Sequence, residues 1–134
     1  SAAEDLVTHK GQCHCGRVQF ECDAPAVISV WKCNCSICNM KGFDQFNVPE
    51  TQFRILQGSD ELTTYTFNTH VAKHMFCKHC GVQAFYRPRS IPDGYGVNPR
   101  CIVSDTIKGQ EVRTFDGQDW EVAIAAVGAE PPSK

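Results

Sequence analysis

The stretch W-K-C-N-C-S-I-C-N at residues 31–39 places Cys33, Cys35 and Cys38 within six positions of the chain. Thiolates are preferred ligands of zinc, and three of them at this spacing can all reach one metal ion. Zinc in proteins is usually held at the centre of a tetrahedron of ligands. The triplet therefore predicts a zinc site whose fourth ligand comes from outside this stretch.

Two cysteine pairs flank the triplet, Cys13 with Cys15 and Cys77 with Cys80. Gly81 follows the second pair, and a glycine after C-x-x-C accepts the positive φ that directs backbone N–H groups at the sulfurs of a zinc knuckle. Together the two pairs supply the four thiolates of a closed, structural zinc site, which would contribute folding energy. The alternative for the tighter first pair is two buried cysteines without a metal.

The triplet has two possible interpretations. Cys22 or Cys101, the two cysteines outside the clusters, could close it and make a second structural zinc site. No glycine follows its cysteines, however, and a short helix beginning at Ser36 would direct N–H dipoles at the thiolates and lower their pKa. Three protein ligands with an open fourth position are the arrangement of catalytic zinc sites.

An open site of three thiolates favours thiol chemistry. The ligand charges give the zinc centre a net charge of about −1, which makes it a weaker Lewis acid than a three-histidine site. It remains a good holder of an exchangeable thiol, which would be deprotonated there at neutral pH and become a nucleophile. The expected reaction is addition of a thiol to an aldehyde carbonyl, or the reverse cleavage of a carbon–sulfur bond.

Composition limits the other function classes. The chain has 134 residues, 42% hydrophobic and 21% charged, with a formal net charge of −2. No apolar run approaches the roughly 20 residues of a membrane-spanning helix, and no basic footprint indicates nucleic-acid binding. Nine cysteines, clustered and odd in number, favour metal binding over a disulfide framework, which remains the alternative. We therefore expect an intracellular protein, cytoplasmic or nuclear, with no membrane or nucleic-acid partner.

Alternating or β-branched segments bounded by turn residues predict a mainly β fold with one or two short helices. Asp23–Pro25 reads as a turn, and residues 87–99 read as an irregular loop containing one short strand. Ser36 is predicted to N-cap a helix that runs to about Lys41, and an alanine-rich helix is predicted at 120–127. The predicted strands are 16–22, 27–31, 43–48, 51–56, 62–67 and 82–86. We expect a single domain over residues 1–134, with its core at about 7–128 and a tail at 129–134.

Three motifs in this order carry a family resemblance: G-x-C-x-C-G-x-x-x-F at 11–20, C-x-C-S-x-C at 33–38 and F-C-x-x-C-G at 76–81. The chain resembles the glutathione-dependent formaldehyde-activating enzyme family, and residues 63–70 and 85–90 look closest to its centromere protein V branch. The resemblance implies an Mss4-like, zinc-bearing β fold with two Zn²⁺ ions. It places the structural zinc on the flanking pairs and the catalytic zinc on the triplet. The implied activity joins glutathione and formaldehyde into S-hydroxymethylglutathione and is classed as a carbon–sulfur lyase.

A glutathione substrate needs cations and proton carriers. Lys41, Lys73, Arg87 and Arg89 are the candidate ligands of its two carboxylates, with ordinary solvated charges as the alternative. His70 and His74 are candidate catalytic residues, because histidine exchanges protons near neutral pH. Structural or surface histidines are the alternative reading for both.

Three function classes follow from the sequence. The first is a zinc-dependent carbon–sulfur lyase whose partner is a small thiol–aldehyde adduct of glutathione. The second is a zinc-stabilised interaction module of the centromere protein V type without catalysis. The third is a thiol redox enzyme, which would need an exposed, reactive Cys22 or Cys101.

Overall fold

The structure, a computed structural model, describes residues 5–67, 69–89, 91 and 93–115. Within these ranges the chain forms ten strands and one α-helix, α1 (Ser36–Lys41), with short 3-10 turns between some of them. The strands are β1 (Leu6–Gln12), β2 (Gln19–Pro25), β3 (Val27–Cys33), β4 (Phe46–Pro49), β5 (Phe53–Gln57), β6 (Leu62–Tyr65), β7 (His74–Cys77), β8 (Phe85–Tyr86), β9 (Gly94–Val97) and β10 (Gly109–Phe115). The prediction of a mainly β fold is confirmed, and the predicted helix at 120–127 lies outside the described residues.

The first sheet has the order β1-β2-β5, with both pairs antiparallel. The predicted turn at Asp23–Pro25 is wrong, because these residues continue β2 and pair with Leu6 to Thr8 of β1. Asp23 is held there by two hydrogen bonds from the Arg54 guanidinium on β5, at 2.9 and 3.0 Å. Pairing with β1, supported by this cross-strand ion pair, thus overrides the turn preference of the local sequence.

The second sheet pairs β3 with β10 in parallel, from Gly109 opposite Val27 to Phe115 opposite Cys33. β10 was not among the predicted strands. Five consecutive residues of this strand are exposed, so its sequence lacks the alternation that reveals a half-buried strand. Only its last residue, Phe115, is buried, and its ring packs edge-on against Trp31 at 6.3 Å.

The third sheet has the order β4-β9-β8, and the fourth pairs β6 with β7. The prediction of one short strand inside the loop at 87–99 is confirmed by β9. Gly96 of β9 lies under the ring of Tyr86, and a Cβ atom there would come within 2.4 Å of it. The strand predicted at 82–86 is shorter than expected and begins at Phe85, and the one predicted at 43–48 begins at Phe46.

Aromatic side chains join the sheets into one core. Phe20 of β2 stacks on Phe53 of β5 at 5.3 Å, and both rings pack against Phe85 of β8. Tyr95 of β9 stacks on the other face of this group, 4.0 Å from the Phe53 ring. The seven clustered cysteines lie outside this aromatic group, at the end of β3, at the start of α1, at the end of β7 and in the turns that follow β1 and β7.

Candidate metal centres and the adjoining cavities

Cys13, Cys15, Cys77 and Cys80 form one cluster, with all four sulfurs within 4.8 Å of one another. The Cys15 sulfur lies 3.6 Å from that of Cys13 and 3.6 Å from that of Cys77. A zinc ion with Zn–S bonds of about 2.3 Å sets its sulfurs about 3.8 Å apart at the corners of a tetrahedron. The donor set and its spacing therefore fit zinc.

Two similar turns build this cluster. In the first, the Cys13 N–H donates to the Val18 carbonyl at 3.0 Å; in the second, the Cys77 N–H donates to the Val82 carbonyl at 3.1 Å. Gly16 and Gly81 have φ values of 81° and 76°, the left-handed conformation expected of a knuckle glycine. The cluster joins the turn between β1 and β2 to the end of β7, across more than sixty residues of chain.

The triplet forms a second cluster, again with its three sulfurs within 4.8 Å of one another. β3 ends at Cys33, Cys35 is the N-cap of α1, and Cys38 lies in the first turn of that helix. The predicted N-cap at Ser36 is wrong by one residue; the helix ends as expected, at Gly42 with a φ of 64°. Across the ranges that the structure describes, no histidine, cysteine, aspartate or glutamate joins the triplet as a fourth ligand.

Cys22 and Cys101 lie apart from both clusters. Cys22 is fully buried on β2, and burial raises the pKa of its thiol to about 12. Cys101 is 8% exposed, and burial raises its pKa to about 11. Neither residue closes the triplet, and neither has the exposed, low-pKa thiol of a redox cysteine.

The triplet favours a thiolate at Cys35. The thiols of Cys33 and Cys38 hydrogen-bond to its sulfur and, with the backbone N–H groups of Cys38 and Ile37, lower the pKa of Cys35 to about 2. Stabilised negative charge at this position is what a metal ligand requires. Three soft sulfur donors, two of them buried, fit zinc in the same way as the first cluster does.

Cavities open beside the triplet. One of about 450 Å³ is lined by Cys33, Cys38, Lys32, Asp44 and Phe115, among others. A second, of about 560 Å³, lies beyond α1 and is called here the Lys41 groove. It is lined by Lys41, Gly42, Phe43, Tyr65, Phe76, Gly81, Val82, Gln83, Asn98 and Arg100.

A narrow cleft, too tight for a water molecule, lies next to these cavities; it is called here the His74 cleft. Its lining residues are Ile37, Cys38, Lys41, Phe43, His74, Gln83 and Tyr86. It shares Cys38 with the cavity at the triplet, and Lys41, Phe43 and Gln83 with the Lys41 groove. The triplet therefore borders two of three neighbouring pockets that share lining residues.

His74 and His70 occupy different environments. His74 is 3% exposed, with its ring stacked 5.1 Å from that of Tyr86. Burial and the nearby Lys41 ammonium lower its pKa to about 4, although Cys35 acts in the opposite direction, so the ring is neutral at neutral pH. His70 is exposed, has a φ of 60°, and pairs through Nδ1 with the Thr66 hydroxyl at 2.8 Å. The structure places His74 beside the triplet and His70 outside these three cavities.

The four predicted glutathione cations also separate. Lys41 lies in the Lys41 groove, where its ammonium is 5.8 Å from the centre of the Phe76 ring and burial lowers its pKa. The ammonium of Lys73 donates to the carbonyl of His70 at 2.7 Å, and Arg87 pairs with Glu50 at 2.9 Å while stacking on Tyr95. Neither of them, nor Arg89, lines the three pockets around the triplet.

Arg100 and Gln83 are among the polar residues of these pockets that the sequence patterns did not indicate. Arg100 borders the Lys41 groove with a side chain that is 73% exposed, and Gln83 borders both the groove and the His74 cleft. Gln83 stands three positions after Cys80, so it follows directly on the knuckle turn. This short spacing is the sequence signal that could have identified it. Arg100 carries no such signal, because the only cysteine near it in the sequence, Cys101, belongs to no motif.

Comparison with known proteins agrees with this geometry. The family model described as "Glutathione-dependent formaldehyde-activating enzyme" matches residues 8–115, which include all three cysteine motifs. A crystal structure of a protein from Rhodobacter sphaeroides superposes with a TM-score of 0.66 at 33% sequence identity, covering 77% of this chain and 97% of that one. None of the described helices is long or apolar enough to cross a membrane. On the match across its whole described β core, this chain belongs to the glutathione-dependent formaldehyde-activating enzyme family.

Proposed function

We propose that the protein is a zinc-dependent carbon–sulfur lyase that joins glutathione to formaldehyde and cleaves the adduct, S-hydroxymethylglutathione. The observation that carries this proposal is the triplet. It is a cluster of three sulfurs with no fourth protein ligand in the described part of the chain, and it borders a cavity of about 450 Å³. A purely structural zinc site almost always has four protein ligands.

Cys33, Cys35 and Cys38 would hold the catalytic zinc, and Cys13, Cys15, Cys77 and Cys80 the structural one. When bound at the triplet, zinc would lower the pKa of a thiol that joins it, so that the thiol reacts as its thiolate. The buried setting of Cys35 and Cys38, which are 1% and 5% exposed, limits access to the side of Cys33 and the cavity.

The Lys41 groove suits the remainder of glutathione. Its volume of about 560 Å³ falls within the usual range for small-molecule sites. Lys41 and Arg100 supply positive charge for the two carboxylates, while Phe43 and Phe76 form apolar walls. Lys73, Arg87 and Arg89 remain more distant candidates, since none of them lines the groove.

The reaction moves one proton and forms one bond. The glutathione sulfur bonds to the carbonyl carbon of formaldehyde, the π electrons of the carbonyl move to oxygen, and the proton lost by the thiol ends on that oxygen. His74, neutral and beside Cys38, is the candidate carrier of this proton through Nε2. His70 is exposed and less suited to the role.

Exchange NMR with ¹³C-formaldehyde and glutathione tests the proposal. Because the adduct also forms unaided, the measured quantity is the exchange rate above that of a protein-free sample. We expect zinc-loaded wild-type protein to accelerate exchange and Cys35→Ser to abolish the acceleration. Equal rates with and without wild-type protein would reject the proposal and favour a zinc-stabilised interaction module.

The reducing compartments of the cell suit this function, because they supply reduced glutathione and keep cysteine ligands as thiols. A thiol redox enzyme is the least favoured alternative. Cys22 and Cys101, the two cysteines outside the clusters, are buried and have raised pKa values.

A further inference from the structure

Two side-chain nitrogen atoms, Nε2 of His74 and Nε2 of Gln83, are buried without a hydrogen-bond partner, and they are the only such N or O atoms within the described ranges. Buried polar groups nearly always have a partner, so each exception calls for an explanation. His74 is 3% exposed and Gln83 is 7% exposed. Both residues line the His74 cleft, together with Cys38 of the triplet. The two exceptions thus share one small site beside a metal ligand.

The orientation of the Gln83 amide is determined by its neighbours. Lys41 donates from Nζ to Oε1 of Gln83 at 3.1 Å, which identifies that atom as the oxygen and leaves the NH₂ group as the unpaired end. The carbonyl of Gln83 accepts a hydrogen bond from the Asn98 amide at 3.0 Å, which holds the backbone at this point. Gln83 is therefore a preorganised hydrogen-bond donor.

The chemistry of this pair selects the kind of group that can bind. The Gln83 NH₂ group donates only, so its partner must be an acceptor. Neutral imidazole presents either a donor or an acceptor at Nε2, according to tautomer. An oxygen atom satisfies both residues, either as a hydroxyl that accepts from Gln83 and donates to His74 or as a carbonyl that accepts from both.

We propose that Gln83, together with His74, binds the oxygen of the one-carbon group carried on the substrate sulfur. This inference rests on the proposed function and adds to it a binding residue and a reason for selectivity. In the adduct that oxygen lies one carbon away from the sulfur, and Cys38 lines the same cleft as the two nitrogen atoms. The cleft has no room for a water molecule in this structure, so the oxygen reaches the two nitrogen atoms only if the cleft widens slightly, which is easier for a one-carbon group than for a larger aldehyde. As the carbonyl becomes an alkoxide, the hydrogen bond from Gln83 strengthens, so it acts chiefly on turnover.

The test compares Gln83→Glu and Gln83→Met with the exposed control Gln110→Met on β10. Gln83→Glu keeps an oxygen for Lys41 and removes the NH₂ donor, whereas Gln83→Met removes both. We expect both variants to lower the catalysed exchange rate at saturating glutathione by about tenfold to a hundredfold, the effect of one hydrogen bond to a developing charge. Calorimetry should give Kd values for glutathione and S-methylglutathione, which lack the oxygen, within twofold of wild type.

Two results would overturn the proposal while leaving the proposed function intact. One is exchange at the wild-type rate in Gln83→Glu, which would show that only the contact with Lys41 matters. The other is an equal loss of affinity for S-methylglutathione, which would indicate a general distortion of the pocket. If wild-type protein neither binds glutathione nor accelerates exchange, the proposed function fails and this inference fails with it.

A measurement on the wild-type protein covers the case in which the variants fold poorly, as judged by zinc content and melting temperature. The side-chain NH₂ signals of Gln83 in ¹⁵N-labelled, zinc-loaded protein should shift when glutathione and formaldehyde are added together. S-Methylglutathione should leave them nearly unchanged. Identical shifts with both ligands would contradict an oxygen-binding role.

Discussion

Cys22 and Cys101 show how the environment of a residue, rather than its type, decides its chemistry. The other seven cysteines lie in two clusters. Hydrogen bonds from the backbone and side chain of Arg17 lower the pKa of Cys15. Hydrogen bonds from Cys33 and Cys38 lower the pKa of Cys35, so both positions favour thiolates. Cys22 projects into the core from β2 and keeps its proton because burial disfavours the charged form. Because Cys22 and Cys101 lie apart from the triplet, the triplet has three protein ligands among the described residues.

The buried thiol of Cys22 makes stability fall at alkaline pH. Its pKa in the folded protein is raised from 9.0 to about 12, so between these values the unfolded chain loses the proton while the folded chain keeps it. The stabilising contribution is complete below pH 9 and is lost as the pH rises towards 12, at up to about 1.4 kcal/mol per pH unit. Urea unfolding of wild type and Cys22→Ala from pH 8 to pH 11 measures this. Parallel curves for the two proteins would show that another group is responsible.

At the level of secondary structure, two local devices position the metal ligands. Knuckle turns ending at Gly16 and Gly81 present the four sulfurs of the first cluster, and the strand-to-helix junction at β3 and α1 presents the three of the second. The first cluster joins two distant segments, so its metal closes a long loop, whereas the second lies within six residues and closes none. A cross-link between distant segments restricts the unfolded chain much more than a local one does.

This difference predicts unequal effects of two matched substitutions. Cys77→Ser should lower the melting temperature by roughly 10 °C or more, because the structural zinc contributes directly to folding. Cys35→Ser should lower it by less than about 5 °C and should abolish catalysed exchange. Thermal unfolding followed by circular dichroism, with zinc measured per chain, makes the comparison. Similar losses of melting temperature in both variants would contradict the division into a structural and a catalytic site.

In the whole molecule, the two cysteine clusters belong to different parts of the fold. The first cluster joins the turn after β1 to β7, while the triplet sits beyond β3 beside the pockets. Gln83 connects the two regions, since it follows the knuckle of Cys77 and Cys80 and reaches the His74 cleft. Loss of the structural metal is therefore expected to disorganise the substrate pocket as well as the fold.

Chelation should separate the two roles in time. The triplet metal, with three protein ligands and an open cavity beside it, should leave first, and catalysed exchange should disappear while the β-sheet circular dichroism persists. The four-cysteine metal should leave more slowly and together with the loss of β structure. A chelator titration read by exchange NMR, circular dichroism and released zinc records both phases. Simultaneous loss of activity and structure would show that the two sites are not independent.

The cysteine clusters, the mainly β class and the helix after the triplet could be predicted from the sequence because each depends on neighbouring residues. Short cysteine spacings, Gly81 in a left-handed turn and Gly42 at the helix end are local signals. The pockets around the triplet depend instead on contacts between distant residues, such as Lys41 with Gln83, which are 42 positions apart.

The same reason accounts for what the sequence patterns missed. β10 has no pattern of its own and exists through its pairing with β3. β2 continues through Asp23 because it pairs with β1, with Arg54 of β5 adding an ion pair. Local chemistry thus determines which atoms bind the metals. Packing of distant strands determines which of the nearby polar groups, His74 and Gln83 rather than His70, face the place where the reaction is proposed to occur.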